Sequence, residues 1–272
     1  MRDTSMDNRI AVRPPAVAGA FYPAAPQVLR QAIDEAFAAA APRPSDAPVP
    51  KALIVPHAGY IYSGAIAASA YGRIVPARTI IKRVVLLGPS HRAYFRGLAV
   101  PSVDAFETPL GLVPIDTAAR TAALTSPGIE VDDGAHIDEH SLEVQLPFLQ
   151  AVLDDFTLLP LSVGDATTSE VAAVLEECWG GPETLIVIST DLSHYHHYDE
   201  AAELDARTAA AIVSCRPDAI GDRDACGARP VRGLLQVVSD RSLSVEQLDL
   251  RNSGDTAGDH NRVVGYGAFA VV

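Results

Sequence analysis

Thr184-Leu185-Ile186-Val187-Ile188-Ser189-Thr190-Asp191-Leu192-Ser193-His194-Tyr195 joins an unbroken aliphatic run to a polar turn that carries a histidine. The run is short and rich in β-branched residues, which marks a strand rather than a helix. It does not alternate between apolar and polar, so both of its faces are expected to be covered, as in a parallel sheet. Two other segments repeat this construction. Ala52–Val55 is followed by Pro56-His57-Ala58-Gly59-Tyr60, and Arg83–Leu87 is followed by Gly88-Pro89-Ser90-His91. Gly97–Val100, Phe156–Val163, Ser244–Leu250 and Val263–Val272 are further strand candidates. Helical patterns lie between them at 26–41, 64–74, 115–124, 139–153, 168–178, 199–214 and 229–239. Strands alternating with helices predict an α/β fold with a largely parallel sheet flanked by helices. Val263–Val272 holds two glycines and a tyrosine, which suits an edge or antiparallel strand.

The 272 residues allow one large domain. Residues 1–12 read as a disordered lead and 13–272 as a single domain. The formal charge of −13 leaves no basic stripe, which argues against nucleic acid and against an anionic membrane surface as partners. No apolar run approaches the length of about 18 residues that a membrane span needs. The N-terminal segment is polar and Pro-rich and does not read as a signal peptide. Three cysteines, Cys178, Cys215 and Cys226, make no disulfide framework and point to a reducing, cytoplasmic setting.

In open α/β sheets, ligands bind beyond the carboxyl ends of the strands. His57, His91 and His194 each follow a different strand at that end. A single histidine in such a place usually caps or hydrogen-bonds; three at equivalent places predict one shared cleft. Imidazole is the commonest metal ligand and a general base near neutral pH. Cys226 lies just before the helix at 229–239, where the positive end of the helix dipole favours a thiolate. His136 and His140 are spaced like half of a helical metal motif, but Ile137 stands where the zinc-protease pattern has Glu. Glu139 and His140 are expected either to line the cleft or to cap the helix that follows. Tyr60 and Tyr195 are candidate pocket walls. No Walker or GxGxxG pattern supports a nucleotide cofactor.

These segments, together with Glu139-His140-Ser141-Leu142-Glu143-Val144-Gln145-Leu146-Pro147, Val17-Ala18-Gly19-Ala20-Phe21-Tyr22-Pro23, Cys226-Gly227 and Arg262-Val263-Val264-Gly265-Tyr266, resemble the Memo family from about Arg13 to the end of the chain. Bacterial and archaeal members are often named as protein B of the AmmeMemoRadiSam system, with genes beside those of an AMMECR-type protein and a radical SAM enzyme. The family is similar in fold to class III extradiol ring-cleavage dioxygenases. The resemblance therefore implies a mixed, mostly parallel sheet flanked by helices with a cleft at its edge. It implies His57, His91 and Cys226 as metal ligands, and Asp191 and His194 as an acid and base pair. Cysteine replaces the carboxylate that the dioxygenases use to hold Fe(II).

The expected function is a redox, oxygenase-like metalloprotein that binds iron or copper through His57, His91 and Cys226. His194, oriented by Asp191, handles protons, and His140 positions a small-molecule or peptide ligand in the cleft. Two alternatives stand beside it. One is a zinc hydrolase, since two His and one Cys with an open position activate water. The other is a non-catalytic adaptor that works with the AMMECR-type and radical SAM partners.

Overall fold

The structure, a computed structural model, describes residues 10–272. In chain order its elements are β1 (Val12–Arg13), α1 (Pro26–Ala38), β2 (Ala52–Val55), α2 (Tyr60–Tyr71), β3 (Arg83–Pro89), β4 (Leu98–Val100), β5 (Ala105–Thr108), β6 (Gly111–Pro114) and α3 (Thr117–Ala123). There follow β7 (Ile129–Val131), α4 (Leu146–Val152), β8 (Thr157–Val163), α5 (Thr168–Glu177), β9 (Thr184–Ser189), β10 (His194–His196), α6 (Tyr198–Val213), α7 (Ala228–Asp240), β11 (Val245–Asn252) and β12 (Val263–Val271). Local chemistry sets several boundaries. Pro26 opens α1, where its missing N–H costs nothing. Thr167 and Glu170 satisfy each other's backbone in a capping box at the start of α5.

The main sheet runs β10-β12-β2-β9-β3-β8-β4-β7, with β11 on the other side of β12. Its centre, β2-β9-β3-β8, is parallel throughout. β4 is antiparallel to β8, and β12 is antiparallel to β2 and β11. The sheet is mixed and mostly parallel at its core, as expected. Successive residues of each central strand enter opposite cores. Ala52, Ile54, Val85 and Leu87 pack beside Val171, Leu175, Val231 and Leu234 of α5 and α7. Leu53, Val55, Val84 and Leu86 pack beside Leu29, Ile33, Ile66 and Phe148 of α1, α2 and α4. Covering both faces is what removes the polar positions from these strands.

β12 is antiparallel, one of the two forms expected for it, and lies between β11 and β2; Gly265 leaves room for Asp205 of α6, and Gly267 for Phe269 and Leu192. Two expectations, the helix over 139–153 and the extent of the N-terminal lead, need correction. The helix expected over 139–153 begins only at Leu146; Glu139 and His140 are irregular, Ser141 and Leu142 form a turn, and one turn of 3₁₀ helix follows over Glu143–Gln145. The lead expected to be disordered over 1–12 falls mostly on residues 1–9, which lie outside the described residues. Its last part is ordered, because Val12–Arg13 pairs in parallel with Ala105–Phe106 and Ala11 N–H donates to Asp104 at 2.8 Å. The β5–β6 hairpin that receives it is short and interrupted by Pro109 and Gly111, so its sequence carries no strand pattern.

The segment after β1 is tied down by one buried carboxylate. Glu143 is fully buried and accepts from Arg13 Nη1 at 2.7 Å, Ala16 N–H at 2.7 Å, Val17 N–H at 3.0 Å and the Tyr22 hydroxyl at 2.6 Å. The arm so held carries Phe21, whose carbonyl accepts from Tyr60 N–H at 2.8 Å. Removing one member of a buried ion pair strands the other charge away from water. Glu143→Ala is therefore expected to lower the unfolding free energy by about 3–5 kcal/mol, read from urea denaturation, with Glu143→Gln losing less because it still accepts from the arm.

Candidate metal centre

β2, β9 and β3 are adjacent and in register, with Val55 opposite Ser189 and Leu87 opposite Ile188. The residues that follow these strands therefore emerge side by side. The side-chain cluster they form lies beyond the carboxyl ends of the central strands, not at a lateral edge. The ring centroids of His57, His91 and His140 lie 5.3, 5.4 and 4.7 Å apart. The His140 ring stacks on His91 and meets Phe21 at 4.6 Å.

The rings of His91, His194 and His57 each have one nitrogen occupied by the protein. His91 Nδ1 lies 2.9 Å from Glu139 Oε1, and the carboxylate can only accept, so Nδ1 carries a proton and Nε2 is the nitrogen that faces away from Glu139. His194 Nδ1 donates to the Leu192 carbonyl at 2.8 Å, again leaving Nε2 free. His57 Nδ1 lies 2.9 Å from Ser189 Oγ, and its Nε2 faces Cys226 Sγ at 3.3 Å. His57, His91 and Cys226 each offer a ligand atom, and these atoms lie within 4.8 Å of one another. Donors on one tetrahedral ion, at about 2.0 Å for nitrogen and 2.3 Å for sulfur, sit roughly 3.5 Å apart. The set of donors and its spacing fit a transition metal or zinc.

Cys226 is placed by the loop between β9 and β10. Its N–H donates to the Asp191 carbonyl at 3.2 Å, and its Sγ accepts from Asp191 N–H at 3.2 Å. Gly227 N–H donates to Thr190 Oγ1 at 2.8 Å. A Cβ on Gly227 would lie 2.6 Å from Thr190 Cβ, so only glycine allows this approach.

Burial dominates the electrostatics. It pushes His57 well below the usual histidine range, helped by the neighbouring His91 and His140, and it lowers His194. It takes His140 down to about 4 despite the Glu139 charge. These three imidazoles are thus neutral at neutral pH, the form that binds a cation. Burial, and then the charge of Asp191, push the Cys226 thiol up to about 12. The sequence-based expectation of a thiolate stabilised by the helix dipole is corrected: loss of solvent outweighs the dipole and favours the neutral thiol. Burial also raises Asp191 to about 7 against the backbone N–H groups of His57 and Ala58. Burial alone would raise Glu139, but the His91 ring and the N–H groups of His91 and Ser141 outweigh it and hold it at about 2.

Of the six residues expected in the site, His57, His91, His140 and Cys226 converge. His194 stands at its margin, near enough to His57 and His91 for like-charge repulsion. Asp191 does not orient His194, contrary to expectation. Its carboxylate accepts from His57 N–H at 2.8 Å and lies 4.0 Å from His57 Nε2, while His194 is held by the Leu192 carbonyl. His136 is not part of the cleft: without a helix at 136–140 the i, i+4 spacing has no meaning, and its Nε2 faces the Ala99 carbonyl at 3.0 Å. Tyr60 is buried in the core with its hydroxyl on the Val144 carbonyl. Tyr195 is exposed, with φ of 64° and Arg262 over its ring. Glu139 orients His91 and caps no helix. Ser189 and Gln145 were not singled out from sequence; a serine ending an aliphatic strand and a glutamine on an apolar helical face were the available signals.

A family model described as Memo-like protein matches residues 13–270. A MEMO1 family protein of Aquifex aeolicus is 38% identical over 268 residues, covering 94% of this chain and 97% of that protein. One from Methanosarcina barkeri is 35% identical over 273 residues, covering 96% and 100%. A crystal structure of an uncharacterized protein from Escherichia coli K12 matches with a TM-score of 0.50 at 13% identity, covering 80% of this chain and 98% of that one. That last likeness concerns the fold alone.

Gly227→Ala is expected to cost about 1–3 kcal/mol through overpacking against Thr190 and to displace Cys226. A cobalt titration followed by the thiolate-to-metal absorption checks the second effect; the variant should lose that band while keeping its circular dichroism.

Proposed function

The chain belongs to the Memo-like family, and from that premise we propose that it is a redox, oxygenase-like metalloprotein that holds iron or copper on His57 Nε2, His91 Nε2 and Cys226 Sγ. The observation that carries this reading is the convergence of these three donors within 4.8 Å of one another. Iron or copper bound there supplies one-electron chemistry and open positions for a ligand and O₂.

The chain's own groups do the rest. Glu139 fixes the His91 ring through Nδ1. His140 and His194, neutral and only partly buried, are the groups able to take up or return a proton beside the metal. His140 also presents the ring face nearest Phe21, which suits it to position a small-molecule or peptide ligand. Asp191 holds the His57 backbone and the Cys226 loop together and acts through them. The three cysteines are unpaired, which suits a reducing, cytoplasmic setting. No helix among the described residues is long and apolar enough to cross a membrane.

Elemental analysis of anaerobically purified protein tests the reading. Close to one iron or copper per chain is expected in the wild type, with loss in both Cys226→Ala and His57→Ala. Uptake should weaken as pH falls, because protons compete for the thiolate and imidazole donors. Zinc in place of iron or copper, with pH-dependent hydrolysis, would replace the redox reading by a hydrolytic one. No uptake even after reconstitution would remove the metal and leave an adaptor role.

A further inference from the structure

We propose that Ser189 and Gln145 are positioning residues that lock His57 in its Nδ1–H tautomer and so keep its Nε2 lone pair turned to Cys226. The inference rests on the metal-site reading above and follows from counting protons. The Pro56 carbonyl can only accept, so the Gln145 atom 2.9 Å from it is the amide nitrogen. That nitrogen also donates to Ser189 Oγ at 2.8 Å, and Gln145 Oε1 accepts from the Tyr71 hydroxyl at 2.9 Å. The Ser141 carbonyl, 2.6 Å from Ser189 Oγ, can likewise only accept. The single hydroxyl proton of Ser189 therefore points at Ser141.

Ser189 Oγ has given its proton to one partner and one lone pair to Gln145. What remains for His57 Nδ1, at 2.9 Å, is a second lone pair. Only a protonated Nδ1 makes that bond. His57 Nε2 is then bare, and the proton on the 3.3 Å path between it and Cys226 Sγ belongs to sulfur. A cation entering this position takes the place of the thiol proton. Tyr71, Gln145, Ser189, Ser141 and His57 are all buried, so water does not compete for these bonds.

The two histidine ligands are consequently unlike. Glu139 backs His91 with a charge, whereas His57 is backed by a hydroxyl and an amide whose protons are committed elsewhere. His57 is oriented by neutral groups and His91 by a carboxylate.

Long-range ¹H–¹⁵N NMR of the metal-free, ¹⁵N-histidine-labelled protein reads the tautomer directly, with His57→Gln assigning the signals. The wild type is expected to show Nδ1–H at His57. Ser189→Ala should show mixed tautomers and bind cobalt(II) about 10–100-fold more weakly, the usual cost of losing a group that orients a ligand. Ser162→Ala removes a buried hydroxyl on β8 that has no hydrogen-bond partner, and it should leave both readouts unchanged. Should Ser189→Ala fail to fold, Gln145→Leu serves in its place, with the same direction and a smaller effect. An Nε2–H tautomer in the wild type overturns the inference. So does a Ser189→Ala protein with unchanged tautomer and affinity within about twofold, below the usual cost. Failure of cobalt to bind the wild type would instead sink the metal-site reading, and the wild-type tautomer would still decide this inference.

Discussion

The in-register parallel pairing of β2, β9 and β3 is the constraint on which the site depends. Parallel strands in register end along one line, so whatever follows them is gathered at one place. Val55, Ser189 and Pro89 are the last residues of the three strands, and His57, Asp191 and His91 are each two residues further on. The pairing itself is held by apolar side chains that alternate between two helical layers. A slip of one residue in β9 would exchange its two faces and send Ser189 away from His57. The chemistry of the cleft is thus secured by packing several residues below it.

Above that frame, the cleft is assembled by groups that each satisfy several donors. Glu139 accepts from the ring and backbone of His91 and from the backbone of His140 and Ser141. Ser141 in turn donates its hydroxyl to the Pro89 carbonyl and offers its own carbonyl to Ser189. Gly88 makes this possible, because a Cβ there would lie 2.9 Å from Ser141 Oγ. One short segment, Glu139–Ser141, therefore reaches both histidine ligands, one through a carboxylate and the other through a serine. Glu143, two residues further on, ties down the arm that brings Phe21 against His140.

The buried setting has a cost and a use. Neutral imidazoles and a protonated thiol are what a low-dielectric cleft favours. A cation entering it meets lone pairs already aimed, and it repays the desolvation of the sulfur by replacing its proton. Rigid second partners also limit which nitrogen of each ring is available, which is a geometric selection made before any ligand arrives.

Much of this was legible along the chain. Aliphatic runs without polar alternation required a sheet covered on both faces. The residues that followed three of those runs placed His57, His91 and His194 at one end of it, and the motifs from Val17 to Tyr266 carried the family. Cys226 was legible through Gly227 and the helix that follows. Side-chain partnerships were not, because they depend on which loops meet across the sheet. Asp191 and His194 are close in sequence, yet the turn between them directs one to His57 and the other to a backbone carbonyl. His136 and His140 have helical spacing in a segment that forms no helix. Glu139 resembles a helix cap and instead orients His91 from a distant strand end. The thiol illustrates the same limit: a helix N-terminus is visible in sequence, but the burial that overrides it exists only after folding. Sequence by itself determined which residues stand at the strand ends, since hydrophobic pattern and chain order are local. Tertiary structure alone decided which atom of each residue is free, since hydrogen bonds and desolvation are settled between segments far apart in the chain.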